Sequence, residues 1–420
     1  MMKRTFFVLL LITLVLGYSV NAQVNTEDDI VGRDAPNTIT TTVPFLLIAP
    51  DSRAGALGDA GVATTPDVNS LHWNPAKYNF IENNVGVSIS YTPWLRQLVR
   101  DMNLAYVSGY KKFNKENVLS ASLLYFDLGS IQFRSIDNVL LRDFSPHEFA
   151  IDMAYSRLLG EKFSSSVAMR FIYSNLTGGV EVQGNDSYPG KTVAADVAFY
   201  YYNDEIELSG MKSTLMWGLN ISNIGAKISY TTNEYRDFIP TNFRTGVGYK
   251  LALDDHNEFM FTFDLNKLLV PTPPQYYQAG EILPNGDTVI PSDKIIKYGK
   301  DPKISVGSAL FRSWYDAPGT ATAFVKNGKP SVFREEMAEF TISAGVEYWY
   351  DKLFALRFGY FNEHQYKGNR KYFTVGAGLK MNVFGLDFAY LIPTTQANPL
   401  QHTLRFTLIF DLGGLAAEKS

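Results

Sequence analysis

Residues 44–80, PFLLIAPDSRAGALGDAGVATTPDVNSLHWNPAKYNF, follow neither the 3.6-residue period of an amphipathic helix nor the two-residue period of a strand. The stretch is rich in Gly, Ala and Pro, and the charges of Asp51, Arg53, Asp59 and Asp67 are spaced among these small residues. Small residues let backbones approach closely, and glycine also tolerates positive φ. The composition therefore predicts a compact, irregular segment that packs inside a larger structure.

The chain from residue 85 to residue 410 alternates large apolar residues with small or polar ones. In residues 149–156, FAIDMAYS, one face carries Phe, Ile, Met and Tyr, and the other carries Ala, Asp and Ser. Residues 259–266 and 354–360 repeat the pattern. The apolar face is mostly Phe, Tyr and Leu, and tyrosines gather at strand ends, which is typical of a membrane barrel whose apolar face meets lipid. A soluble sandwich would bury that face instead.

This pattern predicts an all-β fold: a transmembrane antiparallel β-barrel of about 14 strands with residues 44–80 as a hatch or plug inside the barrel. The candidate strands are residues 85–91, 102–110, 118–126, 148–158, 163–175, 191–202, 213–224, 242–253, 258–268, 336–350, 353–360, 371–381, 384–391 and 402–410. Short turns at 114–117, 160–162, 254–257, 351–352 and 382–383, and a somewhat longer one at 203–212, alternate with long loops near 129–147, 176–190, 225–241 and 270–334. Because outer-membrane barrels keep short turns periplasmic and long loops extracellular, we expect the protein in the bacterial outer membrane.

The N-terminus has the features of a secretory signal peptide. Lys3 and Arg4 precede an apolar run from Phe6 to Leu16, and Val20-Asn21-Ala22 supplies the small residues expected at a cleavage site. The run is too short for a membrane-anchor helix, which is the alternative. The predicted organisation is a signal peptide at residues 1–22, a polar periplasmic lead-in at 23–43, the plug at 44–80 and the barrel at 81–420.

The loop at residues 270–334 is far longer than most connections, and loops of that length are usually functional or disordered. Its segment 304–315, ISVGSALFRSWY, predicts a short helix that carries Leu310, Phe311 and Trp314.

Composition and spacing argue against several classes of function. The chain has no cysteine, and its formal charge of −4 with a pI of about 5.8 argues against a nucleic-acid partner. The five histidines lack metal-ligand spacing, and no Ser-His-Asp arrangement is arguable. We therefore expect no metal, no cofactor and no enzymatic activity.

Charged residues lie on the polar faces of the predicted strands and are expected to point into the lumen. They are Asp152, Arg170, Asp264, Glu347, Arg357, Asp387 and Arg405. An isolated buried charge is costly, so we expect these groups to pair with one another and with the plug. A substrate or ion pathway is the alternative interpretation.

Apolar residues occupy three of the predicted outer loops. They are Trp94, Leu95 and Leu98 in the first, Phe133, Ile136, Val139 and Leu140 in the second, and Phe311 and Trp314 in the long loop. Such residues serve either as membrane-interface anchors or as contacts for a protein partner. We take Trp94, Leu95, Phe133, Leu140, Phe311 and Trp314 as candidate partner-binding residues.

The segment at residues 50–76 resembles the hatch signature of the FadL-like outer-membrane barrels. PDSRAGALGDAGVA at 50–63 is followed by HWNPA at 72–76. The matching hatch-motif residues are Arg53, Gly55, Gly58, Asp59, Gly61, Asn74, Pro75 and Ala76. Within that class the longer run 46–78, together with SWYDAP at 313–318, is similar to the PorV family of the type IX secretion system.

The resemblance implies a fourteen-stranded barrel with an N-terminal hatch and a non-enzymatic role. PorV-like proteins dock at the translocon barrel, bind the C-terminal signal domains of secreted cargo and deliver the cargo to a surface attachment complex that contains the sortase-like peptidase PorU. The expected partners are therefore the translocon, the cargo domains, the PorU complex and outer-membrane lipid. The alternative function is that of other FadL-like barrels, the transport of hydrophobic small molecules.

Overall fold

A computed structural model describes residues 36–412 except 97–98, 100, 135–137, 139, 181–184, 232–235, 291–293 and 395–398. The predicted signal peptide, residues 1–22, and residues 23–35 of the predicted lead-in lie outside the described residues.

Within the described part of the chain, fourteen antiparallel strands form one closed barrel, and four further strands form two small hairpins in the loops. The strands are β1 Val85–Pro93, β2 Asn103–Lys112, β3 Asn117–Asp127, β4 Ile131–Arg134, β5 Leu140–Phe144, β6 His147–Gly160, β7 Phe163–Asn175, β8 Gly190–Leu208, β9 Met211–Gly225, β10 Asn242–Ala252, β11 Asn257–Leu268, β12 Gln275–Tyr276, β13 Ile296–Tyr298, β14 Thr341–Tyr350, β15 Phe354–Asn362, β16 Lys371–Met381, β17 Phe384–Pro393 and β18 Leu404–Asp411. The hairpins β4–β5 and β12–β13 stand outside the barrel sheet. The prediction of an antiparallel barrel of about 14 strands is confirmed.

The barrel closes by pairing its first and last strands. Val87 of β1 lies opposite Phe410 of β18, and Tyr91 lies opposite Phe406. Closure leaves no unpaired strand edge, which matters in hydrocarbon because an unsatisfied backbone group costs several kcal/mol there. One end of the barrel carries the short turns and the other carries the long loops. We call them the short-turn end and the long-loop end.

Alternation along each strand separates an outward apolar face from an inward small or polar face. In β7, Val167 and Met169 are 56% and 70% exposed, whereas Ala168 and Arg170, which alternate with them, are buried. Met153 of the neighbouring β6 is 65% exposed. Large apolar side chains thus point away from the bore, as a lipid-facing barrel requires, and the soluble-sandwich alternative is wrong.

Four short helices form the segment inside the ring of strands: a 3-10 turn at Pro44–Leu47, α1 at Ser52–Ala56, α2 at Ser70–Trp73 and a 3-10 helix at Pro75–Phe80. Helix α1 contacts β15 to β18, whereas Pro75–Phe80 contacts β2, β3 and β6 to β8. These strands lie on opposite arcs of the ring. The segment at residues 44–80 therefore crosses the bore, and we call it the plug.

Side-chain caps stabilise the N-termini of two plug helices, α1 and the 3-10 helix at Pro75–Phe80. The Asp51 carboxylate accepts a hydrogen bond from the Ala54 amide at 2.9 Å, and the Asn74 side chain accepts one from the Ala76 amide at 3.1 Å. Each cap satisfies an amide that a helix N-terminus leaves without a partner. Pro75 follows Asn74 at the first helical position, where its missing N–H costs nothing.

Two predicted boundaries are wrong. The strand predicted at residues 336–350 begins only at Thr341, because helix α4 (Val332–Ala338) turns its glutamates onto lysines of the barrel. The turn predicted at residues 203–212 is two residues long, because β8 and β9 continue to Ser209 and Gly210, which both have positive φ. Two consecutive residues with positive φ form the tight turn that best suits a hairpin. The sequence did not show this because the strand ends next to the turn are largely polar, unlike the rest of β8 and β9.

The helix predicted within residues 304–315 is confirmed as α3 (Val306–Arg312), capped by a hydrogen bond from the Ser308 amide to the Ser305 hydroxyl at 3.2 Å. A 3-10 turn at Thr322–Phe324 follows it. Among the residues that the structure describes, no helix combines the length and apolar character needed to cross a membrane.

An arginine at position 169 tests the outward face. Met169 lies at the middle of β7, so Met169→Arg should lower the free energy of unfolding in phospholipid vesicles by about 2–4 kcal/mol, the cost of a cation at the bilayer midplane. Asn285→Arg, at an exposed loop tip, is the matched control and should change it little. Equal effects of the two substitutions in denaturant titrations would contradict a lipid-facing Met169.

Candidate functional site

The plug is joined to the barrel wall by a buried ion-pair network centred on Arg53. The Arg53 guanidinium donates to Glu347 at 2.7 and 3.0 Å and to Asp67 of the plug itself at 2.8 Å. Glu347 also pairs with Arg357 at 2.6 Å, and Arg357 pairs with Asp387 at 2.6 Å. One chain of charges thus links the plug to β14, β15 and β17.

Two further wall charges hold the middle of the plug. The Asp264 carboxylate on β11 accepts hydrogen bonds from the amides of Gly61 at 2.7 Å and Val62 at 2.9 Å. Arg405 on β18 pairs with Asp59 at 3.2 Å, and the Tyr372 hydroxyl donates to the same carboxylate at 2.5 Å. The structure also pairs Arg170 with Asp152 at 2.5 Å and Asp196 at 3.4 Å on the wall. The predicted mutual pairing of the lumen charges is therefore confirmed.

The motif glycines lie where the plug touches the wall most closely. A side chain on Gly55 would overlap Arg405, one on Gly58 would overlap the Tyr360 backbone, and one on Gly61 would overlap the Trp73 ring. Gly58 also has a φ of +70°, which L-residues with side chains rarely adopt.

Wall glycines match those of the plug. Side chains at Gly218 and Gly248 would overlap the Val62 and Ala63 carbonyls, and one at Gly359 would overlap the Gly58 amide. Gly376 faces Ala56 in the same way, and a side chain on Gly378 would overlap Asp387 and Arg357, so these strand glycines mark close packing.

The Asn74-Pro75-Ala76 motif fixes the other half of the plug to the wall. The Asn74 side-chain amide donates to the Val62 carbonyl at 3.1 Å and to the Phe199 carbonyl of β8 at 2.9 Å. The carbonyl of Pro75 accepts from Ser156, and that of Ala76 from Ser164, both at 2.7 Å. All eight predicted hatch residues therefore lie in one continuous plug–wall contact.

Sequence reasoning missed Lys77, which binds other parts of the plug, and Trp73, which contacts both the plug and the wall. The Lys77 ammonium is fully buried and donates to the Gly61 carbonyl at 3.0 Å and the Thr64 hydroxyl at 2.8 Å. The Trp73 indole donates to Asp51 at 2.6 Å and lies under the guanidinium of Arg244. A lysine and a tryptophan within a run of small residues are the signals that could have revealed them.

The long-loop end of the bore is filled by an apolar cluster from the chain's own N-terminal part. Val43, Phe45 and Leu46 pack with inward residues of several strands, including Leu104 and Phe126. Phe45 and Phe126 stack with ring centroids 6.3 Å apart.

The described part of the lead-in, residues 36–43, lies at this same end. The Thr42 amide donates to the Phe238 carbonyl at 3.0 Å, and the Asn37 side chain donates to Pro273 and Glu335 of the long loop at 3.1 and 2.9 Å. These residues are therefore at the opposite end from the periplasmic, short-turn side predicted for the lead-in. The reason is that the chain enters the bore from the long loops and leaves it at the short-turn end.

A cavity of about 280 Å³ lies between the plug and the wall at the short-turn end. Its lining includes Arg53, Glu347 and Arg357, and it reaches the short-turn residues Lys352 and Asn382. Apolar side chains such as Phe80, Ile81 and Met260 line it as well, so charged and apolar groups share its wall.

The long loop is fixed to the barrel rim by a second group of charges. Glu336 and Glu339 pair with Lys267 of β11, and Glu335 and Glu339 pair with Lys367 of the loop between β15 and β16. Asp316 lies beside Glu336, which accepts a hydrogen bond from the Asp316 amide, and we call these four carboxylates the acidic clamp. All six side chains are buried. Glutamates at 335, 336 and 339 on one short helix are the sequence signal for this site, but their partners are far away in the chain.

Burial, together with the nearby carboxylates of Glu336 and Glu339, raises the pKa of Asp316 to about 6. The backbone of the same segment is also held, since the amides of Asp316 and Ala317 donate to Glu336 at 2.8 and 2.9 Å.

The candidate partner-binding residues lie in three separate environments. Trp94 and Leu95 are half-buried, and Trp94 packs at the apolar cluster of the long-loop end. Phe133 packs against Phe144 of the β4–β5 hairpin with centroids 6.3 Å apart. Leu140 belongs to β5, but the structure does not describe its side chain. Leu98, Ile136 and Val139 lie outside the described residues.

The two candidates of the long loop are exposed. Phe311 is 74% exposed, and Trp314 is 40% exposed with its ring on Phe243 and Phe340 at 5.4 and 6.0 Å. Among the described residues there is no group of three side chains suited to hold a metal ion.

These features define a plugged β-barrel of the membrane type. Similar solved structures include the Pseudomonas putida toluene transporter TodX, with 9% identity over 90% of this chain and 98% of that one and a TM-score of 0.46. The CymD monoaromatic hydrocarbon channel is also similar, with 9% identity over 86% of this chain and 96% of that one and a TM-score of 0.43. A Pseudomonas aeruginosa FadL homologue has 10% identity over 90% of this chain and 100% of that one and a TM-score of 0.41. A comparison with curated proteins gives no match.

A family model described as Type IX secretion system protein PorV matches residues 32–275, which is more than half of the chain. The chain belongs to the PorV family of type IX secretion system proteins, and the resemblance noted from residues 46–78 is confirmed.

Removing Arg53 tests the plug–wall network. Arg53→Met leaves the buried carboxylates of Glu347 and Asp67 short of a cation, so the free energy of unfolding should fall by about 3–5 kcal/mol. Lys297→Met is the matched control, because Lys297 pairs with Glu281 at 2.8 Å on the surface, where such a pair contributes less than about 1 kcal/mol. Denaturant titration in detergent measures the free energy of unfolding of both variants. A similar decrease in the two would show that the buried network does not hold the plug.

The raised pKa of Asp316 predicts that the acidic clamp weakens as pH rises. The Asp316 carboxyl binds its proton more tightly in the folded clamp than in the opened loop, where its pKa is near 3.8. The free energy that holds the clamp closed therefore falls between about pH 4 and 6 and stays lower above that range. Hydrogen exchange of residues 332–339, corrected for intrinsic rates, should show less protection at pH 8 than at pH 5. Asp316→Asn should reduce that difference, whereas Asp287→Asn at the exposed hairpin should not. An unchanged difference in Asp316→Asn would assign the pH dependence to another group.

Proposed function

We propose that the protein is a non-enzymatic component of type IX secretion in the bacterial outer membrane. It binds the C-terminal domains of secreted cargo at the translocon barrel and carries them to the cell-surface attachment complex with its sortase-like peptidase. Membership of the PorV family supports a role in secretion, and the closed barrel with its outward apolar face supports the membrane location.

The filled bore is the observation that carries this proposal. Arg53, Asp264 and Asn74 each make plug–wall hydrogen bonds, and Arg170 is paired with Asp152 and Asp196 on the wall, so these inward groups are already engaged. Opening a path through the barrel would separate buried ion pairs, which costs several kcal/mol for each pair broken. A barrel of this kind is better suited to act through its outer surface than through its lumen.

The alternative is transport of hydrophobic small molecules. It requires an apolar pocket beneath the long loops, but Val43, Phe45 and Leu46 already occupy that region. A transported molecule would have to displace them. Uptake of a labelled fatty acid into proteoliposomes would favour this alternative.

The β12–β13 hairpin is the part of the long loop best placed to meet a partner. It is a sheet separate from the barrel, and Ile282 and Ile290 near its tip are 71% and 55% exposed. A short two-stranded ribbon has free edges that can pair with an extended segment or sheet edge of another protein. Trp94, Leu95 and Phe133 are further candidate contacts from loops at the same end of the barrel.

Replacing residues 280–290 with a Gly-Ser linker tests this surface. Loss of exposed apolar anchors should reduce co-purification of the translocon and of cargo from detergent-solubilised outer membranes by at least about tenfold. The control replaces residues 254–256, a short turn at the opposite end, and should retain co-purification. Unchanged recovery of both partners by the hairpin variant would exclude the hairpin as the contact. Absence of both partners from the unmodified protein would contradict the secretion role itself.

A further inference from the structure

Helix α4 has its polar and apolar faces the opposite way round from a helix in a soluble loop. Its glutamates at 335 and 336 are buried in the acidic clamp, whereas Val332, Phe333 and Met337 are 40%, 71% and 48% exposed. A surface helix normally buries its apolar stripe and leaves its charges in water. The exposed face of α4 therefore needs an apolar environment that the described chain does not supply.

The clamp holds this helix against the outside of the barrel, not over its bore. Lys267 lies directly opposite Phe243 in the β10–β11 register, so both belong to the outward face of the wall. Lys267 is nevertheless fully buried, because Glu336, Glu339 and the loop aromatics cover it. Trp314 packs edge-on against Phe243 of the same face.

Six exposed apolar side chains lie on the two loop segments that the clamp joins, residues 311–315 and 332–337, and we call them together the rim patch. Its members are Phe311, Trp314, Tyr315, Val332, Phe333 and Met337. The area continues the lipid-facing band of the neighbouring strands, where Val247 of β10 and Phe263 of β11 are 48% and 41% exposed. Continuity with that band indicates that lipid is the medium that meets the patch.

Charge separation within the loop points to the same medium. The acidic clamp holds four of the loop's carboxylates inward, whereas Lys303, Lys326, Lys329 and Arg334 are exposed. Lys300 lies with its ammonium 3.7 Å from the centre of the Tyr315 ring. Aromatic side chains beside exposed cations are the composition that binds the boundary between acyl chains and anionic headgroups.

We propose that the rim patch is a membrane-interface surface. Its aromatic side chains and Met337 enter the acyl region of the outer leaflet, and the adjacent lysines and arginine contact lipid phosphates. The acidic clamp makes this possible because it neutralises Lys267, which would otherwise present an unpaired cation to the lipid. The proposal depends on the barrel spanning a membrane and is independent of the secretion role.

Single cysteines can test the depth of the patch because the natural chain has none. Phe333→Cys and Phe311→Cys, each labelled with a nitroxide, are reconstituted in phosphatidylcholine vesicles with and without phosphatidylglycerol. The relative collision rates of the label with oxygen and with a water-soluble nickel chelate report whether it lies in lipid or in water. Met169→Cys provides the lipid reference and Asn285→Cys the aqueous one.

Both patch labels should resemble the Met169 label in their preference for oxygen, and phosphatidylglycerol should increase that preference. Nickel accessibility equal to that of the Asn285 label would overturn the proposal, and protection appearing only after addition of a translocon-containing membrane extract would assign the patch to a protein partner instead. No effect of phosphatidylglycerol would show that the exposed cations have no preference for an anionic headgroup and would remove their contribution from the proposal. Two labelling sites keep the test decisive if one variant fails to fold.

Discussion

The plug can remain inside the barrel because the charge of Arg53 is met by Glu347 of the wall. A guanidinium inside a membrane barrel is desolvated, and only a carboxylate with good geometry offsets that cost. Glu347 accepts from Arg53 at 2.7 Å and from Arg357 at 2.6 Å, so one wall carboxylate serves a plug cation and a wall cation. Asp67 gives Arg53 a second carboxylate partner, and Asp387 does the same for Arg357. Without this pairing, an irregular polar segment would be more stable in water than in the bore.

Size complementarity completes what the charges begin. The plug approaches the wall so closely that a single methyl group at Gly359 or Gly248 would overlap plug backbone. Glycine removes the side chain from both surfaces, and the backbone amides of the plug then reach wall groups such as the Asp264 carboxylate. The result is a bore in which close packing and hydrogen bonding are achieved by the same residues.

The sequence predicts most of this architecture because its signals are local. Two-residue alternation determines which way Met169 and Arg170 point, and a run of small residues reveals a segment built for close contact. The clamp was not predictable, because Lys267 and Glu339 are 72 residues apart and nothing local shows that they meet. The same limit applies to residues 36–43, whose polar composition fits either end of the barrel. Their position follows from Phe45, which fills the apolar end of the bore.

The plug network and the acidic clamp are two forms of one arrangement. In each, a strand carries a charge that neither the bore nor the lipid can solvate, and an irregular segment supplies the opposite charge. Arg357 and Lys267 lie on opposite faces of the wall, yet both are buried and both are paired with glutamate. The wall thereby presents apolar side chains to its surroundings on the outside while its charges are satisfied by the protein. A segment that covers a wall charge must itself turn an uncharged face outward, which is why the glutamates of α4 face the barrel and Phe333 does not.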